Sequence, residues 1–291
     1  MKRGEVSSLI SLLDDSDSEI ALAAMNRLCS KGESIIPDLE RAWQGCLGEV
    51  LLTRIEQVIA QIQGNVTLQK LREWVDAGAT DLFHGAYCMA KLLHPGIDCE
   101  PLAQALNSIC KAIWLKFNDY LTALEKVNII NQTLFHTYKF RNNGSQPGNS
   151  PDLFLIDYLL QNKVGNSVAL STLYLCVAEK LSLPIKGLNM SCGIMLAYLD
   201  EYCDDGQSLF YIYPFFHGQV LGRQQVELIV NRNQIDESDQ RRYLHTCSNR
   251  LYVCKLAETL RDNFVHIGQQ EPVERISEAI KILSKGSRSE R

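Results

Sequence analysis

Apolar residues along the first 140 positions recur at steps of three and four, the spacing that gives a helix one buried face. A first stripe carries Ile20, Ala24 and Leu28, with Asp17 or Ser18 placed to cap it and Gly32 placed to end it. A second helix carries Ile36, Leu39, Ala42 and Trp43, and a third Leu51, Ile55, Val58 and Ile62. The pattern resumes with Phe83, Tyr87, Ala90 and Leu93, then with Leu102, Leu106, Ile109 and Ile113. Pro101 falls in the first turn of that last helix, where a missing N–H costs little. Leu121, Leu124, Val127, Leu134 and Tyr138 predict one more long helix.

After residue 140 the texture changes. RNNGSQPGNSPD, 141–152, gathers turn-forming residues and predicts a loop. LFLIDYLLQNK predicts a short helix, and GNSVALSTLYLCVAEKLSLPI a longer one with a glycine before it and Leu-Pro behind it. IKGLN, GIMLAYLD and LFYIYPFF are short apolar or alternating runs, read as strands separated by loops such as EYCDDGQS. From about 237 helical periods return: Leu251, Leu256, Leu260 and Phe264, then Gly268 and Pro272, then Val273, Ile276, Ile280 and Leu283. The chain thus divides into a helical segment (1–62), a helical region packing on a core (63–140), the core itself (141–236), and a helical hairpin with a tail (237–291). The fold class is α+β and predominantly helical, with a central helix packed on a small antiparallel sheet.

Composition narrows the function. At 291 residues, 46% hydrophobic and 22% charged, the chain can bury a sizeable core. The net charge of −5 supplies no basic field, so a nucleic-acid partner is not expected. No run of about eighteen apolar residues predicts a membrane span, and the first residues lack a signal-peptide core. The ten cysteines are scattered, which favours free thiols and a cytoplasmic location. No glycine-rich phosphate loop occurs, and no cofactor is expected. His84 and Cys88 stand four apart, with His94 and Cys99 behind them. The gap between the pairs is short and irregular and no CxxC occurs, so no metal site is expected.

Three phrases carry a resemblance: NSPDLFLIDYLLQNKVGNSVALSTLYLCVAEKLSLPI, GLNMSCGIMLAYLD and IYPFFHG, in that order. Together they resemble the SirB-type family of transglutaminase-like proteins, whose core sets a nucleophile at the mouth of a helix and a proline seventeen residues on. Ser167 and Pro184 have that spacing. The phrase LLDDSDSEIALAAMNRLCSKGESIIPDLERAW resembles a HEAT-type repeat, and the C-terminal helices resemble a tetratricopeptide hairpin. The resemblance implies that Ser167 holds the nucleophile position, Gly193 that of the histidine and Tyr213 that of the acid. SirB-type proteins commonly carry serine at the first position themselves.

A serine hydroxyl needs a base to accept its proton, and glycine is none. Ser167 or Asn166 is therefore read as a helix cap, with Ser167 favoured. Cys176, in the body of the helix, is read as packing. The surviving alternative is a cysteine or serine hydrolase or amidase using Cys192 or Ser167 with His217, although residues 192 and 193 would point to opposite faces of a strand. Alternation sends Tyr211, Tyr213 and Phe215 to one face. With Tyr198 they are candidates to line a groove for a protein or peptide. The expected function is a non-catalytic transglutaminase-like scaffold, a pseudoenzyme that binds a partner.

Overall fold

The computed structural model describes residues 3–144, 150–188, 195–200, 207–232 and 245–285. Two compact units divide the chain, residues 1–70 and 71–291. The first is all helical: α1 (Arg3–Leu12), α2 (Ser18–Cys29), α3 (Ile36–Gln44) and the beginning of α4 (Glu49–Asp76). Asp17 caps α2 by accepting the Glu19 N–H at 2.9 Å, the choice made when a short carboxylate can reach an orphan donor. Leu13, Leu28, Ile35, Leu39, Ile55 and Val58 are fully buried and form the core. α1 is an element that the periodicity analysis passed over, although Val6, Leu9 and Leu13 keep the helical step and are buried. The boundary expected after residue 62 falls inside α4, because Gly64 weakens a helix without breaking it.

The second unit surrounds one buried helix. α5 (Leu82–Leu93), α6 (Cys99–Trp114) and α7 (Ala123–Asn131) lead into a π-helical turn, Gln132–Thr137. A 3-10 turn (Pro151–Phe154) and α8 (Ile156–Asn162) precede α9, Ser167–Lys180. Every residue of α9 from Val168 to Ala178 is buried, as expected of a helix that is apolar nearly all round. Ser171 and Thr172, which the sequence would place on a polar strip, are buried too. Thr172 Oγ1 donates to the Val168 carbonyl at 2.8 Å and lies 3.2 Å from the Tyr252 hydroxyl. At the far end of α9, Glu179 accepts the Leu82 N–H and the Asn249 amide, both at 2.8 Å, and so ties the start of α5 to the central helix.

A short parallel pair joins β1 (Arg141–Asn142) to β2 (Val164–Gly165). Four antiparallel strands follow in order: β3 (Ile185–Gly187), β4 (Leu196–Leu199), β5 (Ser208–Tyr213) and β6 (Gln219–Leu221). Ala197 pairs with Tyr211 and Leu196 with Ile212, so the pleat sorts the sheet into two faces. Ala197, Tyr211 and Leu221 pack with Val226 of α10 (Arg223–Arg232). Leu196, Tyr198 and Ile212 take the opposite face, with Tyr198 beside Tyr174 of α9. α11 (Asn249–His266) and α12 (Gln270–Ser284) form the closing hairpin around Gly268. The α+β, mainly helical class expected from the sequence is what the molecule adopts.

Candidate functional site

The mouth of α9 is built by three crossings of the chain. Lys163 ends α8 in the left-handed region (φ 63°) and turns the chain into β2. β1 receives it: the Arg141 N–H donates to the Lys163 carbonyl at 2.9 Å and the Asn143 N–H to that of Gly165 at 3.1 Å. Gly165 is hemmed in, since a Cβ there would lie 3.0 Å from the Ala169 Cβ, 3.1 Å from a Leu159 methyl and 3.4 Å from the Leu153 carbonyl. Next comes Asn166, whose N–H donates to that same Leu153 carbonyl at 2.9 Å. Its side-chain Oδ1 accepts the N–H groups of Val168 (2.9 Å) and Ala169 (3.1 Å).

Asn166 is therefore the cap, and the favoured reading of Ser167 as the cap is corrected. Ser167 occupies the first helical position, one residue too far along for its side chain to reach those donors. It is half-buried. No hydrogen bond joins its hydroxyl to a side chain among the described residues.

The second wall is the turn after β5. Pro214–Phe216 forms a 3-10 turn, and His217 (φ 54°) and Gly218 (φ 73°) both take left-handed backbone. Three side chains hold this turn. The Asn142 amide donates to the Phe215 carbonyl at 2.9 Å, and the Asn131 amide to that of Gly218 at 2.8 Å. The Tyr174 hydroxyl, deep in α9, donates to Asn131 Oδ1 at 3.0 Å. Only glycine fits at 218, because a Cβ would collide with the Asn131 side chain.

Tyr213, expected at the position of the acid, packs on Phe216 with ring centroids 4.9 Å apart. Burial pushes its hydroxyl above the ordinary tyrosine range, so it stays neutral and supplies no carboxylate charge. His217 is exposed, with its ring edge-on to Phe135 at 5.5 Å. Among the described residues no hydrogen bond links His217 to Ser167. Cys192 and Gly193 lie outside the described residues.

The four aromatic candidates do not line one groove. Tyr211 and Tyr213 share the α10 face of the sheet, Tyr198 stands on the opposite face, and Phe215 has left the strand for the 3-10 turn. Tyr198 and Tyr211 are moreover buried. What gathers instead is a cluster of Tyr213, Phe215 and Phe216 at the sheet end, with Phe216 51% exposed. Cys176 is buried, and burial raises its thiol far above the ordinary range, as packing requires. Cys110 and Cys247 are pushed up to about 11 for the same reason, so neither supplies thiolate near neutral pH.

A second constellation escaped the sequence analysis. His94, weighed there as a metal ligand, ends α5 and sits between two carboxylates. Its Nδ1 is 2.7 Å from Asp157 Oδ2 on α8, and its Nε2 is 3.2 Å from Asp152 Oδ1 on the 3-10 turn. Asp157 is buried and Asp152 half-buried. Two ring nitrogens facing two acceptors require both to carry protons, which is the imidazolium. The Asp157 hydrogen bond and charge hold the His94 pKa above its ordinary value, although burial works against them. Nothing in NSPDLFLID announces that Asp157 will meet a histidine 63 positions earlier.

Against known proteins, the family model of the transglutaminase-like superfamily matches residues 100–258, more than half of the chain. The matched stretch runs from α6 into α11 and contains every residue of the α9 mouth described above. No curated protein and no solved structure matches the sequence.

Proposed function

This chain belongs to the transglutaminase-like superfamily, and we propose that it is a non-catalytic member of the SirB type, a scaffold that binds a protein or peptide. In this reading the first helices are HEAT-like and the closing hairpin is tetratricopeptide-like. The observation that carries the proposal is the capping of α9. Asn166 takes the two orphan N–H groups, and the Ser167 hydroxyl meets no imidazole among the described residues. A hydroxyl at a helix mouth without a base remains a weak nucleophile. His217 is held by ring contact with Phe135, and Tyr213 brings an aromatic ring where a triad needs a charge.

The partner surface we assign to this region is the sheet end, where Phe216 is exposed beside Tyr213 and Phe215. Aromatic anchors of this kind are enriched at the centres of interfaces. We place the protein in the cytoplasm, on the ground that its ten cysteines are scattered along a long chain without a disulfide-framework spacing; no described helix is long and apolar enough to cross a membrane.

The test is chemical labelling of the native full-length chain, read by peptide mass spectrometry. A fluorophosphonate is expected to leave Ser167 unmodified, and iodoacetamide near pH 6 is expected to show no preference for Cys192. Selective modification of Ser167, or of Cys192 with loss of labelling in His217→Ala, would make the protein a hydrolase and sink the scaffold reading.

A further inference from the structure

Residues 1–70 carry an open groove of about 420 Å³ between α3 and α4. Ile59 and Ala60 give it an apolar floor, Trp43 a wall, and Glu40 and Glu56 two acidic rims. Trp43 is 43% exposed. Its indole N–H donates to Glu56 Oε1 at 2.9 Å, which fixes the ring by its edge and leaves its π-face for other contacts.

The charges of this unit leave the groove uncompensated. Arg27 and Lys31 go to Glu5, Arg41 to Asp38, and Arg54 to the carbonyls of Leu13 and Asp15. Neither Glu40 nor Glu56 has an ion-pair partner among the described residues. Apolar floor, aromatic face and two carboxylates without a described ion-pair partner thus occur in one concavity. An acidic ligand would be repelled there, and a wholly apolar one would gain nothing from the two carboxylates.

We infer that this groove docks a basic amphipathic segment of a partner protein. A lysine or arginine of that segment lays its stem along Ile59 and Ala60 and sets its cation against Trp43 between Glu40 and Glu56. Apolar neighbours in the segment cover the remaining floor, and the net charge of −5 on the chain draws a basic partner in. The surface lies outside residues 100–258. It therefore stands whether or not Ser167 performs chemistry, and labelling at Ser167 does not bear on it.

The test uses the full-length, ¹⁵N-labelled chain and the indole N–H resonance of Trp43, assigned with Trp43→Phe. Three short peptides are titrated: one of leucine and lysine, one of leucine and glutamate, one of glycine and lysine. The leucine–lysine peptide is expected to shift Trp43 and to leave the exposed Trp114 resonance in place. The double variant Glu40→Gln/Glu56→Gln is expected to bind it about fivefold more weakly. An unmoved Trp43 at millimolar peptide overturns the proposal, as do equal binding of the leucine–glutamate peptide or unchanged affinity in the double variant. A Trp43 shift that follows the concentration of the chain alone also overturns it, since a second copy would then be the occupant.

Discussion

His94 and His217 occupy opposite kinds of site in one unit. His94 is gripped by two carboxylates on two elements, and among the described residues no hydroxyl or thiol nucleophile is joined to the cluster by a hydrogen bond. His217 stands on the turn that Asn131 and Tyr174 tie to the central helix, where its ring meets a phenyl ring edge-on, and among the described residues no acid is hydrogen-bonded to it. An acid–base–nucleophile arrangement needs all three parts in one chain of hydrogen bonds. Here the acid and imidazole are joined where they tie α5 to α8, and the hydroxyl is left elsewhere. The same residue types do structural work in one place and catalysis in another, according to which third group is within reach.

The contrast breaks most severely at Asp157. Asp157→Ala leaves the imidazolium without its buried partner and is expected to cost about 3 kcal/mol in urea denaturation at pH 6, the low end for a buried pair because His94 is one-third exposed. In a His94→Gln background the same change should cost at most half as much. The pH dependence has a definite sign. Because the folded pKa of His94 is raised, its stabilisation is complete below the unfolded value of about 6.5 and is lost as pH rises through the folded value. Denaturation midpoints of wild type and His94→Gln should therefore converge toward alkaline pH, and parallel curves would count against the bridge.

The next largest effect belongs to the turn that carries His217. Gly218→Ala imposes left-handed strain and displaces Asn131, at an expected cost of about 2 kcal/mol. In an Asn131→Ala background only the strain remains, about 1 kcal/mol, so a full 2 kcal/mol there would remove Asn131 from the account. The helix mouth gives the smallest changes. Asn166→Ala should lose about 1 kcal/mol, while Ser167→Ala should stay within about 0.5 kcal/mol. Thermal or urea unfolding of the two variants side by side decides which residue caps the helix.

Much of the architecture was legible because it rests on local rules. The glycine before it, the apolar body and the Leu-Pro behind it delimited α9, and alternating apolar runs marked β4 and β5. Gly268 announced the C-terminal hairpin for the same reason. What escaped depended on partners distant in sequence. Thr172 reads as surface until Tyr252, eighty positions later, buries it. Among its described side chains α10 offers Val226 and Ile229 to the sheet, too weak a stripe to be found by periodicity. The groove expected of Tyr198, Tyr211, Tyr213 and Phe215 failed on the pleat of β5 and on the point where that strand stops, neither of which composition determines. The role of Asn166 turned on one residue of register.

Gly165 has a consequence for how the helix mouth is seated. Leu159, Ala169 and the Leu153 carbonyl pack so close that a methyl group at 165 would push them aside by a few tenths of an ångström. The seating of the first turn of α9 on α8, and with it the position of Ser167, therefore hangs on the absence of one methyl group two residues earlier.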